Sequence, residues 1–159
     1  MNFILFDTPI GKLGLCQQEN ALTRLCLPGE VAPYAVTDET ALLALGRNQL
    51  LEYFAGRRRE FELPFETGGT AFQRKVWTAL SQIPYGKTFS YGELAAQIGT
   101  PRGARAVGQA NHHNPLPIFI PCHRVVGALG GLGGYGGGLA LKKALLDLES
   151  QYSTKGESQ

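Results

Sequence analysis

The chain has 159 residues, 43% hydrophobic and 18% charged, with a formal net charge of +2; this length suits one domain or two small ones and excludes a long multidomain assembly. The ordinary apolar content excludes disorder of the whole chain, yet the 21 glycines exceed the usual share, and eight of them fall within Gly127 to Gly138. The small net charge hides a split, because residues 1–67 carry six Lys/Arg against nine Asp/Glu, whereas residues 68–146 carry eight cations against the single anion Glu93. Eight cations against one anion make nucleic acid a candidate partner for the C-terminal part.

The first third contains short apolar runs, Phe3 to Asp7, Leu13 to Cys16 and Leu22 to Leu27, broken by Thr8-Pro9-Ile10-Gly11 and by Gln17 to Asn20. Such runs between turn residues predict strands of a small antiparallel sheet. From Ala41 to Phe54 apolar residues recur at Leu42, Leu45, Leu50 and Phe54, which predicts a helix over that sheet, stopped by Gly56. The triplet Arg57-Arg58-Arg59 is followed at once by Glu60, Glu62 and Glu66, so it reads as a solvated loop and stays outside the candidate site.

At Thr67-Gly68-Gly69 the composition changes, which predicts a link between lobe 1–67 and lobe 68–150. Thr70 to Gln73 is a capping-box pattern, with Phe72, Val76, Leu80 and Ile83 as the apolar stripe of a helix that ends before Pro84. Ser90 to Glu93 is a second capping box and opens a short helix through Ile98 that Gly99 can stop. Thr100 is then expected to cap a further helix with Pro101 at its first position. Two short helices joined at Gly99-Thr100 make a helix-turn-helix signature. The second is nearly bare of bulk at Gly103, Ala104, Ala106, Gly108 and Ala110, with Arg102 and Arg105 projecting. Small residues let a helix approach either a nucleic-acid groove or a neighbouring helix, and spacing leaves both readings open.

Asn114 to Val126 is an apolar run between prolines that ends in Cys122-His123. A thiol beside a titratable base is the pairing that makes a thiolate near neutral pH, although a lone cysteine is also a common core residue. Adjacent strand residues point to opposite faces, so a turn or a bridging water must connect these two. Cys16, Cys26 and Cys122 are odd in number and lack CxxC spacing, which argues against a disulfide framework or a zinc module and suits a reducing cytoplasm. No basic leader precedes the short apolar start and no run of ~18 apolar residues occurs, so no membrane partner is expected.

Ile120-Pro121-Cys122-His123-Arg124-Val125 resembles the PCHRV motif of the O6-alkylguanine-DNA alkyltransferases. The resemblance extends from about Gly69 to Glu149 through Ser90-Tyr91, Ala104 to Gly108, Asn114-Pro115 and Tyr135 to Leu139. It implies an α/β (α+β) architecture, with a small ribonuclease-H-like sheet lobe at 1–67 and a winged-helix-like helix-turn-helix lobe at 68–150. The terminal residues 151–159 read by themselves as a disordered, dispensable tail. The resemblance also implies a monomeric, single-turnover DNA-repair enzyme that flips an O6-alkylguanine out of double-stranded DNA and transfers the alkyl group to its own cysteine.

Carried over by position, Cys122 is the acceptor, His123 the base acting through a water, and Glu149 the support of its imidazole. Asn114 belongs to a hinge that holds the site, and Tyr91 contacts the flipped base and protonates the departing guanine. Arg105 is the finger that enters the duplex. Thr100, Arg102, Ala104, Ala106 and Gly108 complete a minor-groove surface. Val125, Tyr135 and Gly136 line the base pocket with Tyr91, the carbonyls of Cys122 and Val125 meeting the base edge. The glycine-rich segment is expected to close over the base and to become ordered with DNA or the alkyl group bound. His112 and His113 are expected on the surface near DNA, and no zinc or other cofactor is expected. Non-catalytic relatives of this scaffold, which bind lesions only, replace the acceptor cysteine; Cys122 points to the enzyme.

Overall fold

The computed structural model describes residues 1–30, 34–127, 135 and 137–157. The chain divides into two units, Met1–Thr67 and Gly68–Gln159.

In the first unit, β1 (Asn2–Thr8), β2 (Gly11–Gln18) and β3 (Ala21–Cys26) form an antiparallel sheet in the order β1-β2-β3. The turns fall where the polar and glycine residues predict, and Glu19 enters the second at φ 52°. One sheet face carries Leu13, Leu15 and Leu22 and lies under α1 (Ala41–Phe54). Thr40 caps α1 by accepting from the Leu43 amide at 3.0 Å. A Cβ on Gly46 would come within 2.7 Å of a Leu15 methyl, so the glycine lets the helix rest directly on the strand. The buried residues are Leu43, Gly46, Gln49, Leu50, Tyr53 and Phe54, whereas Leu45 is an exposed apolar residue. The helix thus matches the expectation, with Leu50 and Phe54 turned inward, while in its first half Leu43 and Gly46 take the inward place expected of Leu45. The opposite sheet face buries Phe3, Cys16 and Cys26, with Tyr34 packed against them.

In the second unit, α2 (Ala71–Ser81) has both capping-box bonds: Thr70 N–H donates to Gln73 at 2.9 Å and Gln73 N–H donates to the Thr70 hydroxyl at 3.1 Å. Its buried side chains include Val76, Leu80 and the unforeseen Trp77, whose indole donates to the Ala110 carbonyl at 2.8 Å. β4 (Phe89–Ser90) leads into α3 (Tyr91–Gln97), again with a complete capping box. Gly99 follows at φ +84°, the left-handed stop expected there.

The next helix, α4 (Ala104–His112), begins later than predicted. Gly103 N–H donates to the Thr100 carbonyl at 2.7 Å, so residues 100–103 form a turn. Pro101 therefore serves as a turn residue, and Thr100 does not cap the helix, whose N-cap is Gly103 without a side-chain bond. β5 (Val125–Val126) pairs in parallel with β4, with Phe89 opposite Val125 and Ser90 opposite Val126.

The last helix, α5, runs from Leu139 to Glu157. It corrects the expectation of a disordered tail from residue 151, because Ser153 is buried where Gly86 passes. The expected closing loop falls largely on residues 128–134 and 136, which lie outside the described residues. No helix among the described residues is long and apolar enough to cross a membrane.

Gly86 has φ +78°, and a Cβ there would stand 2.3 Å from the Ser153 hydroxyl. Gly86→Ala is expected to destabilise the protein by about 1–3 kcal/mol through backbone strain and this collision. An unchanged urea midpoint for the variant would show that the end of α5 does not rest on Gly86.

Candidate active site

Residues 114–121 are shaped by one side chain. Asn114 Nδ2 donates to the Ile120 carbonyl at 2.8 Å, while its Oδ1 accepts from Leu116 N–H at 3.0 Å. Within this staple Ile118 takes φ 73°, a strained value for a β-branched residue, and its side chain is buried with Leu116, Phe119 and Ile120. The chain then enters a short 3-10 turn, Cys122–Arg124, so the Cys-His pair sits on a turn and the strand geometry does not apply. Cys122 N–H donates to the Ile120 carbonyl at 2.7 Å, and the Cys122 carbonyl accepts from Asn111 Nδ2 at 3.3 Å.

Cys122 is buried, and burial pushes its thiol up to about 11. The nearby Asn114 side chain, the Lys142 ammonium and Tyr135 pull it down, but less strongly. At neutral pH the resting group is therefore the thiol, and a base is needed to make the nucleophile.

His123 is wholly buried. Its Nε2 lies 2.6 Å from Glu149 Oε2, while Nδ1 has no hydrogen-bond partner among the described residues. Burial holds the imidazole below its ordinary pKa, against the raising influence of Glu149. The neutral ring that donates from Nε2 leaves a lone pair on Nδ1. Glu149 is held well below the usual carboxylate range, because bonds and charges from His123 and Arg124 together outweigh the opposing effect of burial, the largest single influence.

Arg124 donates from Nε to Glu149 Oε1 at 2.8 Å and from Nη2 to Oε2 at 2.9 Å, a bidentate pair, and from Nη1 to the Ile83 carbonyl at 2.7 Å. Gly86 N–H adds a bond to Glu149 Oε1 at 3.2 Å. Arg124 stood in the sequence motif without a role, and its place beside Cys122-His123 was the available signal.

Lys142 was also missed. It lies seven residues before Glu149 on α5, two helical turns and therefore the same face. Its Nζ donates to the Val125 carbonyl at 2.6 Å and stands 5.9 Å from the Tyr91 ring centre. Val125 and Tyr91 are thus brought together with Lys142, next to the β4–β5 pair. Tyr135 reaches Cys122, and Gly136 lies outside the described residues.

Arg102 is exposed on the turn before α4 and so does not project from the helix as expected, Arg105 and Ala106 are exposed at the start of α4, Thr100, Ala104 and Gly108 are half-buried, and Val107, Ala110 and Asn111 are turned inward. His112 and His113 are exposed, their rings edge to face at 5.7 Å, with His113 Nδ1 2.7 Å from the Gln109 carbonyl. The two candidate readings of the small residues therefore divide between two faces: Val107 and Ala110 pack inside, while the arginines stay on the outside.

Two protein-family models match the chain. The ribonuclease-like domain of 6-O-methylguanine DNA methyltransferase matches residues 1–67, and the DNA binding domain of the same family matches residues 71–151. The methylated-DNA–protein-cysteine methyltransferase of Mycolicibacterium paratuberculosis is 49% identical over 150 residues, covering 92% of this chain and 91% of that protein. The constitutive methylated-DNA–protein-cysteine methyltransferase of Bacillus subtilis is 46% identical over 151 residues, covering 90% of this chain and 92% of that protein. The crystal structure of Mycobacterium tuberculosis OGT in complex with DNA matches with a TM-score of 0.89 and 47% identity, covering 96% of this chain and 94% of that one.

Acid should weaken the fold through two groups. Below about pH 6.5 the unfolded chain protonates His123 while the buried ring resists, and below about pH 4.3 the unfolded chain protonates Glu149 while the paired carboxylate resists. In both windows the unfolded state binds more protons, so stability falls as pH falls. His123→Asn should flatten the decline in urea midpoint between about pH 6.5 and 5; an unaltered slope would remove His123 as its source. Glu149→Gln strands the buried Arg124 charge and should cost about 3–5 kcal/mol of unfolding free energy at pH 7, whereas a loss below about 1 kcal/mol would mean that Arg124 finds water instead.

Proposed function

The chain belongs to the 6-O-methylguanine DNA methyltransferase family, and from that premise we propose how its residues carry out direct reversal of DNA damage, with the alkyl group of O6-alkylguanine passing irreversibly to Cys122. The observation that carries this assignment is the buried series Cys122, His123, Glu149 and Arg124, with His123 Nδ1 unpartnered among the described residues.

Attack on a saturated carbon requires a thiolate in line with the departing oxygen. We assign the removal of the Cys122 proton to His123 Nδ1, through one water. The imidazolium so formed is stabilised by Glu149, whose charge is in turn held by Arg124. Lys142 supplies a positive charge toward the developing thiolate and supports the Val125 carbonyl. The sulfur forms a bond to the alkyl carbon, the carbon–O6 bond breaks, and Tyr91 protonates the departing guanine. The product is a thioether without a good leaving group, so each molecule acts once.

The target carbon is out of reach inside a stacked duplex, and extrusion of the base costs a few kcal/mol. We assign α4 to the minor groove, where Thr100, Ala104, Ala106 and Gly108 allow close approach, Arg102 meets the backbone, and Arg105 fills the space that the base leaves. Tyr91, Val125, Tyr135 and Gly136 form the proposed base pocket. Residues 1–67 are then the ribonuclease-like lobe, and residues 68–150 carry DNA binding and catalysis. The reaction needs a reduced Cys122, which suits the cytoplasm.

Reduced, folded protein incubated with duplex DNA containing O6-methylguanine should gain one methyl group in place of one hydrogen, on the tryptic peptide that contains Cys122. An unchanged intact mass would sink the catalytic assignment. Arg105→Ala should slow transfer from duplex by on the order of tenfold, equivalent to about 1.4 kcal/mol, and slow transfer from the free modified base far less; equal defects on the two substrates would contradict the finger role.

A further inference from the structure

We propose that Cys16 and Cys26 form a redox-active dithiol, in which hydroperoxides oxidise Cys26 and Cys16 resolves the product as an intramolecular disulfide. The two thiols are ten residues apart and lack any recognised spacing, but the β2–β3 hairpin brings them to one face of the sheet. In its register Cys16 is opposite Arg24 and Gly14 is opposite Cys26, so the two cysteines are diagonal neighbours next to the register shift at Cys16/Gln17. They share one buried cluster with Phe3, against which Tyr34 packs.

The roles follow from the surroundings. Cys26 lines a surface cavity of about 290 Å3, together with Leu5, Lys12, Gly14, Leu27 and Glu30, a space that admits a peroxide. The Arg24 charge acts on Cys26 against that of Glu30. The Cys16 neighbour lowers the Cys26 thiol against the opposing effect of burial, and the Arg24 charge lowers it further. Cys26, which lines the cavity, is therefore the thiol that a peroxide meets first, and Cys16, its diagonal neighbour, is the resolving partner. Cys122 has neither a thiol neighbour nor a lowered pKa.

The chemistry balances with one peroxide. The Cys26 thiolate takes one oxygen from hydrogen peroxide, forming a sulfenic acid and releasing hydroxide. Cys16 sulfur then displaces that oxygen; the S–S bond forms, the S–O bond breaks, and water leaves with the Cys16 proton. Two thiols are oxidised and one peroxide is reduced to two waters. Diagonal neighbours lie about 7–8 Å apart at Cα, just beyond the usual span of a disulfide, so the backbone must shift to close the bond, and the bond is easily reduced.

The test uses the full chain and about one equivalent of hydrogen peroxide near pH 7, followed by thiol blocking and tryptic mapping without reductant. Trypsin cuts after Lys12, Arg24 and Arg47, so Cys16 and Cys26 fall on separate peptides. The expected result is a linked pair joining peptides 13–24 and 25–47, an intact mass lower by two hydrogens, and full reversal by dithiothreitol. Oxidation of Cys26 should outpace that of Cys122 at least about tenfold. Cys16→Ser, or Cys16→Ala if the serine disturbs the sheet, should leave a Cys26 sulfenic acid that dimedone traps. A disulfide that includes Cys122, intact thiols on both hairpin peptides, or a trapped sulfenic acid on Cys16 in Cys26→Ser would each overturn the proposal.

Discussion

Glu149 is the charge around which the second unit is built. A carboxylate almost fully removed from water is tolerable only when both oxygens are occupied, and here His123, both prongs of Arg124 and the Gly86 amide occupy them. The acid and its partners come from three different stretches of chain. The 3-10 turn supplies His123 and Arg124, the segment between α2 and β4 supplies Gly86, and α5 supplies the acid itself. One buried anion thereby sets how α5 is rotated, and Lys142, two turns earlier, is delivered to the Val125 carbonyl by the same rotation.

The nucleophile sits in an environment that resists forming it. Burial raises the Cys122 thiol more than Asn114, Lys142 and Tyr135 together lower it. A thiol kept protonated at rest is poorly reactive toward stray electrophiles, and in the proposed mechanism its activation rests on His123. The hairpin thiol Cys26 is in the opposite condition, since a thiol neighbour and Arg24 lower it against a weaker effect of burial. Burial and the donors within reach together set the balance.

Local signals in the sequence were legible where the deciding interaction is local. Thr70 with Gln73, Ser90 with Glu93, and Gly99 each act within one turn, and the helices they bound stand where those residues place them. Pro101 misled because proline suits both the first turn of a helix and the second position of a β-turn, and the Thr100–Gly103 bond selects the latter. In α1 Leu50 and Phe54 face inward as their spacing suggests, but Leu45 does not, because apolar residues were counted and Gly46 was not, although a glycine marks where the helix lies closest to the sheet. At the site, Cys122 and His123 stand out by adjacency. Arg124 and Lys142 do not, since a cation in sequence looks solvated until its buried partner, Glu149 or the Val125 carbonyl, is in view. The end of α5 was missed for a similar reason, as Ser153 gains meaning only beside Gly86.

Trp77 is the chain's single tryptophan, and its indole N–H is bonded to the carbonyl of Ala110 near the end of α4. Indole emission responds to the polarity and hydrogen bonding of that one nitrogen. The protein consequently carries a natural optical label at the joint between α2 and α4, and the seating of α4 can be followed by light, in real time, without attaching any dye.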